Sequence, residues 1–157
     1  HSPDALARTV AIARELATGS SQLIAIFGAG GKRDKDKRAP MGTAAKPANK
    51  VILTTDNPRD ENPADIAKSI AKGLTGHKNV QTILDRRQAI TQSIQEAKPA
   101  DVILIAGKGH EIFQELAGTV VPFDFSRSVH ASRHTPAHFG FHGMGVTAAP
   151  SMRCWLR

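Results

Sequence analysis

Short, wholly apolar runs that empty directly into glycine or turn residues are what most restrict this chain. Leu23-Ile24-Ala25-Ile26-Phe27 leads into Gly28-Ala29-Gly30-Gly31. Val51-Ile52-Leu53-Thr54-Thr55, expected as the second strand, leads into Asp56-Asn57-Pro58-Arg59. Asp101-Val102-Ile103-Leu104-Ile105 leads into Ala106-Gly107-Lys108-Gly109-His110-Glu111. An apolar run this short with no polar alternation reads as a strand covered on both faces. Helix-length stretches separate the runs, and that alternation predicts an α/β fold with a doubly wound, mainly parallel sheet. Ligands in such sheets bind beyond the carboxyl ends of the strands. All three loops therefore belong on one functional edge.

The stretches between them carry helix signals. Ser2-Pro3-Asp4 offers an N-cap, a proline at the first helical position and an acid in the first turn. Leu6, Val10, Ala13 and Leu16 follow at helical spacing, and Thr18-Gly19-Ser20 ends the run. A short helix is expected over Met41 to Ala45, stopped before Pro47. Asn62-Pro63 starts another, with Ile66, Ile70 and Leu74 facing inwards. Val80 to Leu84 reads as a third strand, and Asp85 caps a helix that turns Ile90, Ile94 and Ala97 to the core. A last strand is expected near Val120 to Phe125.

Charge divides the chain unevenly. The net of +7 suggests nucleic acid at first sight, yet residues 1–126 hold 17 Lys and Arg against 14 Asp and Glu. Residues 127–157 hold Arg127, Arg133, Arg153 and Arg157 with no acid. In that second segment His130, His134, His138 and His142 recur every fourth residue, but Pro136 and Gly140 interrupt any helix that would align them, and no Cys or acid joins them as a metal set. The expected organisation is a domain over 1–126 and an atypical tail over 127–157, either without fixed structure or read out of frame. One cysteine, Cys154, excludes an intrachain disulfide and a Cys-based zinc site. No apolar run reaches the ~20 residues of a membrane span and no leader is evident, so a cytoplasmic location is expected, with no membrane partner. Phe27 is the one aromatic near the basic loop, too little for a nucleic-acid stacking platform.

The loops supply the chemistry. Glycines after the first strand free the backbone to approach an anion, and Lys32, Arg33 and Lys35 add charge. The sequence is not a Walker loop, which ends in Gly-Lys-Ser/Thr. A dinucleotide fingerprint, Gly28-Ala29-Gly30 with Asp56 as the ribose acid, is the alternative, which would make the chain a regulatory module for NAD or ATP. Arg33 stands where its third glycine belongs. The run from Lys32 to Arg38, Arg33 apart, reads as solvated charge. Arg59 suits a carboxylate, because its planar fork makes two parallel charge-assisted hydrogen bonds. The plainer reading pairs it with Asp60 or Glu61. Glu111 can accept from an ammonium. Guanidinium groups, an amide and a carboxylate along one edge suit a zwitterionic amino acid.

At these residues the chain resembles the C-terminal domain of the Mur ligases, a Rossmann-like fold, in the branch that adds meso-diaminopimelate to UDP-N-acetylmuramoyl-L-alanyl-D-glutamate for peptidoglycan. The similarity runs from His1-Ser2-Pro3-Asp4-Ala5-Leu6, through the Gly28 to Gly42 segment and Thr55 to Pro63, to Ala106-Gly107-Lys108-Gly109-His110-Glu111 and about Phe125. It implies that Arg33, Asp56, Asn57, Pro58, Arg59, Gly107 and Glu111 contact meso-diaminopimelate, and that His1 faces the nucleotide. It implies further that ATP with Mg²⁺ activates the D-Glu carboxylate as an acyl phosphate, which the diaminopimelate amine attacks. No catalytic or metal-binding residue is expected within this chain. Lys32 stands where the family usually has Asp, and the acid expected before Arg127 is missing. The nucleotide-binding and UDP-sugar domains of the family do not occur in these 157 residues. A fragment that binds no cofactor by itself and does not turn over alone is therefore expected, with ATP and the UDP-MurNAc-dipeptide engaged through those other domains.

Overall fold

Ser2 opens the first helix as its chemistry predicts. In the computed structural model, which describes residues 2–32, 34–107, 113–116, 119–122, 141–142, 145–148 and 152–156, its hydroxyl accepts from Ala5 N at 3.2 Å. Helix α1 then runs over Pro3–Leu16 and buries Leu6, Val10 and Ala13. The same logic starts the later helices. Asn62 accepts from Ala64 N at 2.9 Å ahead of α3 (Pro63–Ala71), and Asp85 accepts from Gln88 N at 2.9 Å ahead of α4 (Arg86–Glu96). Helix α2 (Arg38–Ala45) follows a single 3₁₀ turn over Lys35–Lys37 and so begins three residues before the predicted start at Met41.

Four parallel strands, β1 (Leu23–Phe27), β2 (Lys50–Leu53), β3 (Val80–Thr82) and β4 (Val102–Ile105), lie in the order β3-β2-β1-β4. Ile24 sits opposite Lys50 on one side and Ile103 on the other. The chain steps outward from β1 to β2 to β3 and then returns past both to β4. Right-handed crossovers put helices of the outward steps on one face and the helix of the return step on the other. The core follows that division. Leu6, Val10, Met41, Ile66 and Ile70 from α1, α2 and α3 meet Ala25, Phe27, Val51, Leu53 and Leu104. Ile90 and Ile94 from α4 meet Ile24, Ile26, Ile52, Ile103 and Ile105. Each fully buried Ile or Leu contributes roughly 1.5–3 kcal/mol, so among the described residues β1, β2 and β4 carry a large share of the hydrophobic stabilisation. Strand β3 is half-buried to exposed throughout.

Several expectations are corrected at their ends. Thr54 and Thr55 lie beyond β2 and Ile83 and Leu84 beyond β3, where hydrogen bonding turns from ladder to loop: Thr55 N reaches Leu84 O at 3.2 Å. Leu74 is buried by a 3₁₀ turn over Lys72–Leu74 rather than by α3, and Ala97 follows α4 as its cap. The strand expected near Val120 is present as β6 (Thr119–Pro122), but it pairs antiparallel with β5 (Phe113–Leu116) outside the main sheet, and residues 123–125 lie outside the described residues. The tail, assigned no regular element from its sequence, contributes β7 (Phe141–His142), β8 (Gly145–Ala148) and β9 (Met152–Leu156). Strand β9 runs parallel to β4, and β8 and β7 continue antiparallel to give the order β3-β2-β1-β4-β9-β8-β7. Of the four histidines at four-residue spacing, only His142 falls in a described strand.

Candidate functional site

The carboxyl ends of β1 and β2 turn towards each other through glycine. A Cβ on Gly28 would stand 2.1 Å from Thr54 O, and one on Gly31 would stand 1.8 Å from Pro58 O. Gly31 N donates to Asn57 O at 2.8 Å, and Thr54 N donates to Phe27 O at 2.9 Å. These two glycines are therefore required by the contact of one loop's backbone with the other's. The expectation that they clear space for an anion is corrected to that extent.

The packed loops wall a cavity of about 510 Å³ lined by Ala29, Gly30, Lys32, Asp34, Lys37, Arg38, Met41, Asp56, Asn57 and Arg59. Asp56 is buried, Asn57 half-buried, and Pro58 buried behind them with its carbonyl accepting from Glu61 N at 3.0 Å. Arg59 is half-buried and takes a left-handed backbone conformation (φ 53°), as does Lys32 across from it (φ 52°). A non-glycine residue in that region costs of order 1 kcal/mol or more and persists where its surroundings fix it. The guanidinium of Arg59 donates to Gly31 O at 2.8 Å.

The plainer pairing of Arg59 with Asp60 or Glu61 is not what forms. Asp60 takes the ammonium of Lys32. Glu61 is held by Arg38, whose Nη1 and Nη2 donate to its two carboxylate oxygens at 3.0 Å each. Lys32 N donates to the same carboxylate at 2.5 Å, and Lys35 Nζ lies 3.7 Å away. The Arg38 hydrogen bonds first, and then the Lys32 amide, hold the Glu61 carboxyl down at about 2. Arg38 itself is 4% exposed and also reaches Gly30 O at 3.3 Å.

The reading of Lys32 to Arg38 as solvated charge fails at Arg38, which is buried. A usable signal was present: Arg38, Met41, Gly42 and Ala45 fall at helical spacing and are all buried on one face of α2. The same spacing joins Arg86 to Ile90 and Ile94. Arg86 is buried at the first turn of α4, and its Nη1 and Nη2 donate to Thr55 O at 3.4 Å and Ala106 O at 3.0 Å. It links the ends of β2 and β4.

Of the residues expected from sequence, Asp56, Asn57 and Arg59 share the cavity wall. Gly107 follows β4 with φ 107°, a glycine conformation, and does not line this cavity. Arg33, Glu111 and His1 lie outside the described residues. Among the described residues no group of three His, Cys, Asp or Glu is placed to hold a metal ion, and no helix is long and apolar enough to cross a membrane.

Comparison with known proteins matches this geometry to one family. The family model described as "Mur ligase, glutamate ligase domain" matches residues 1–109. The chain is 45% identical over 130 residues to a UDP-N-acetylmuramoyl-L-alanyl-D-glutamate--2,6-diaminopimelate ligase of Aquifex aeolicus, covering 82% of this chain and 27% of that one. It is 49% identical over 119 residues to the protein of the same name from Chlorobium phaeobacteroides, covering 75% and 23%. A solved structure of a ligase of this name superposes with a TM-score of 0.76 at 42% identity, covering 84% of this chain and 27% of that one. The chain thus spans about a quarter of the length of the relatives it matches. On the family match over most of its length, the doubly wound parallel sheet and these relatives, the chain belongs to the Mur ligase family, as a glutamate ligase domain.

Proposed function

We propose that this domain binds meso-diaminopimelate for an ATP-dependent ligase that joins it to UDP-MurNAc-L-Ala-D-Glu in peptidoglycan synthesis. The observation that carries the reading is Arg59, fixed in a left-handed turn on the wall of a cavity that it shares with Asn57 and Asp56. Diaminopimelate differs from lysine by a carboxylate on its distal amino carbon. A guanidinium grips that carboxylate with a two-pronged, charge-assisted bond, and lysine leaves it without this partner. Sites built to hold a polar group reject analogues lacking it by as much as ~10⁴-fold. Arg33, Pro58, Gly107 and Glu111 complete the proposed contact set, with Glu111 accepting from the distal ammonium.

The domain's part in amide formation is then to hold the attacking amine of diaminopimelate still against an activated D-Glu carboxylate, which is catalysis by proximity. ATP supplies the activation, and His1 is the proposed residue nearest the nucleotide. A Mg²⁺ site does not fit the residues here: the cavity's carboxylates, Asp34 and Asp56, stand among Lys32, Lys37, Arg38 and Arg59. In this reading the metal travels with ATP elsewhere on the ligase, and the reaction is cytoplasmic. The ligase domain is assigned to residues 1–126, which the extent of the relatives' matches supports, with 127–157 an atypical addition.

Titration of the chain with meso-diaminopimelate, L-lysine and NAD, followed by amide chemical shifts, tests the reading. Diaminopimelate is expected to move Asn57, Arg59 and Gly107, and lysine to leave them in place. Saturable binding of NAD at Gly28 to Gly31, without a diaminopimelate response, would favour the nucleotide-binding module instead.

A further inference from the structure

Arg86 occupies a position that local physics disfavours. It is the first residue of α4, where the positive end of the helix dipole repels a cation. It is also 2% exposed, whereas its neighbour Arg87 is exposed. A buried guanidinium is tolerated only where hydrogen bonds replace its water. Those partners here include two backbone carbonyls from different strands, Thr55 O beyond β2 and Ala106 O beyond β4. Strands β2 and β4 are not neighbours, because β1 lies between them. Their ends are two strand spacings apart, about 10 Å.

The tie is made next to the residues that matter. Thr55 immediately precedes Asp56-Asn57-Pro58-Arg59, and Ala106 immediately precedes Gly107. The helix start is itself anchored to the first of these loops, since Leu84 O accepts from Thr55 N at 3.2 Å and from the Thr54 hydroxyl at 3.4 Å. We propose that Arg86 is a positioning residue of the amino-acid site, setting Thr55, which leads into Asp56 to Arg59, and Ala106, which leads into Gly107, in one fixed spacing. The inference rests on the diaminopimelate reading for what that spacing serves: Arg59 on one side takes the distal carboxylate and the Gly107 carbonyl on the other accepts from the distal ammonium. A ligand whose two charged groups share one carbon needs both loops held to a fraction of an ångström.

The test compares the 157-residue chain with its Arg86→Lys, Arg86→Met and Arg87→Ala variants, by thermal melting, by amide shifts without ligand, and by titration with meso-diaminopimelate and L-lysine. Lysine keeps the charge but cannot bridge both carbonyls with a planar fork. In Arg86→Lys, cooperative melting is expected, with the Asn57 and Gly107 amides both displaced and diaminopimelate binding weaker by about tenfold or more, the scale on which supporting residues of a bound group act. Arg86→Met is expected to move the same amides further, and Arg87→Ala none of them. A folded Arg86→Lys chain that binds diaminopimelate like the parent, or that displaces one loop's amides without the other's, would overturn the proposal. So would an Arg86→Lys chain that fails to fold, which reduces Arg86 to a core support. If the parent chain itself does not distinguish diaminopimelate from lysine, the functional reading fails. The coupling of the two loops is still decided by the amide shifts of the unliganded variants.

Discussion

Arg38 donates to both oxygens of Glu61 at 3.0 Å each, joining the start of α2 to the turn that follows Arg59. Breaking a buried pair by removing one partner leaves the other charge uncompensated, at about 3–5 kcal/mol when both are buried. Glu61 is about one-fifth exposed, so Glu61→Ala is expected to destabilise by somewhat less, about 2–3 kcal/mol. Chemical denaturation with an unchanged slope measures this directly.

The same pair sets an acid limit. The Glu61 carboxyl titrates at about 2 in the folded chain, well below its ordinary value. A depressed carboxyl contributes stability that is complete above its unfolded value and is lost as pH falls towards the folded one. The contribution is therefore expected to hold at pH 5 and above and to drain away between about pH 4.5 and pH 2. A carbon-detected titration of the Glu61 carboxyl with a midpoint near 4.5 would contradict this.

Arg59 offers two substitutions that separate its backbone from its side chain. Both Arg59→Ala and Arg59→Gly remove the guanidinium, and only glycine is at ease at φ 53°. Arg59→Gly is expected to be more stable than Arg59→Ala by about 1 kcal/mol. Both are expected to lower preference for diaminopimelate over lysine by about a hundredfold or more. In a complete ligase the loss falls on the diaminopimelate KM, with little change for ATP.

Gly31→Ala tests the contact between the loops. Its methyl group would meet Pro58 O at 1.8 Å, backbone that cannot swing aside as a side chain can. A destabilisation of about 1–3 kcal/mol is expected, with the amides of Asn57 and Arg59 displaced. Retention of those amide positions at full stability would show that the loop has slack.

Asp101→Ala is the control that should cost stability alone. Asp101 is buried and accepts from Gln22 N at 2.8 Å and Lys98 N at 2.9 Å, at the opposite end of β4 from Ala106. Leaving these donors unmet costs about 2 kcal/mol. Ligand preference is expected to be unchanged, read from competition between diaminopimelate and lysine.

The elements with one dominant local cause could be read from sequence. Ser2, Asn62 and Asp85 are caps whose side chains sit two or three residues from the amides they serve. The runs at β1, β2 and β4 are buried on both faces, so their apolar character is unbroken. What sequence obscured was long-range. Whether Arg38 is solvated depends on Glu61, 23 residues away, and Arg86 acquires its meaning from carbonyls 31 and 20 residues away. Both arginines stand at apolar helical spacing, and their charge masks that periodicity in the sequence. The strands after residue 140 have no such pattern, and pairing with β4 is what defines β9.

Arg38 and Arg59, both on the cavity wall, have different attachments. Arg38 is locked to the scaffold by a carboxylate, whereas the contacts of the Arg59 guanidinium include the backbone carbonyl of Gly31. Replacing Arg59 therefore leaves the Arg38–Glu61 fastening intact. If Arg59 takes the distal carboxylate as proposed, a lineage could exchange one amino-acid substrate for another through position 59 while the Arg38–Glu61 pair kept its place, so the choice of building block is an interchangeable part of an otherwise fixed mount.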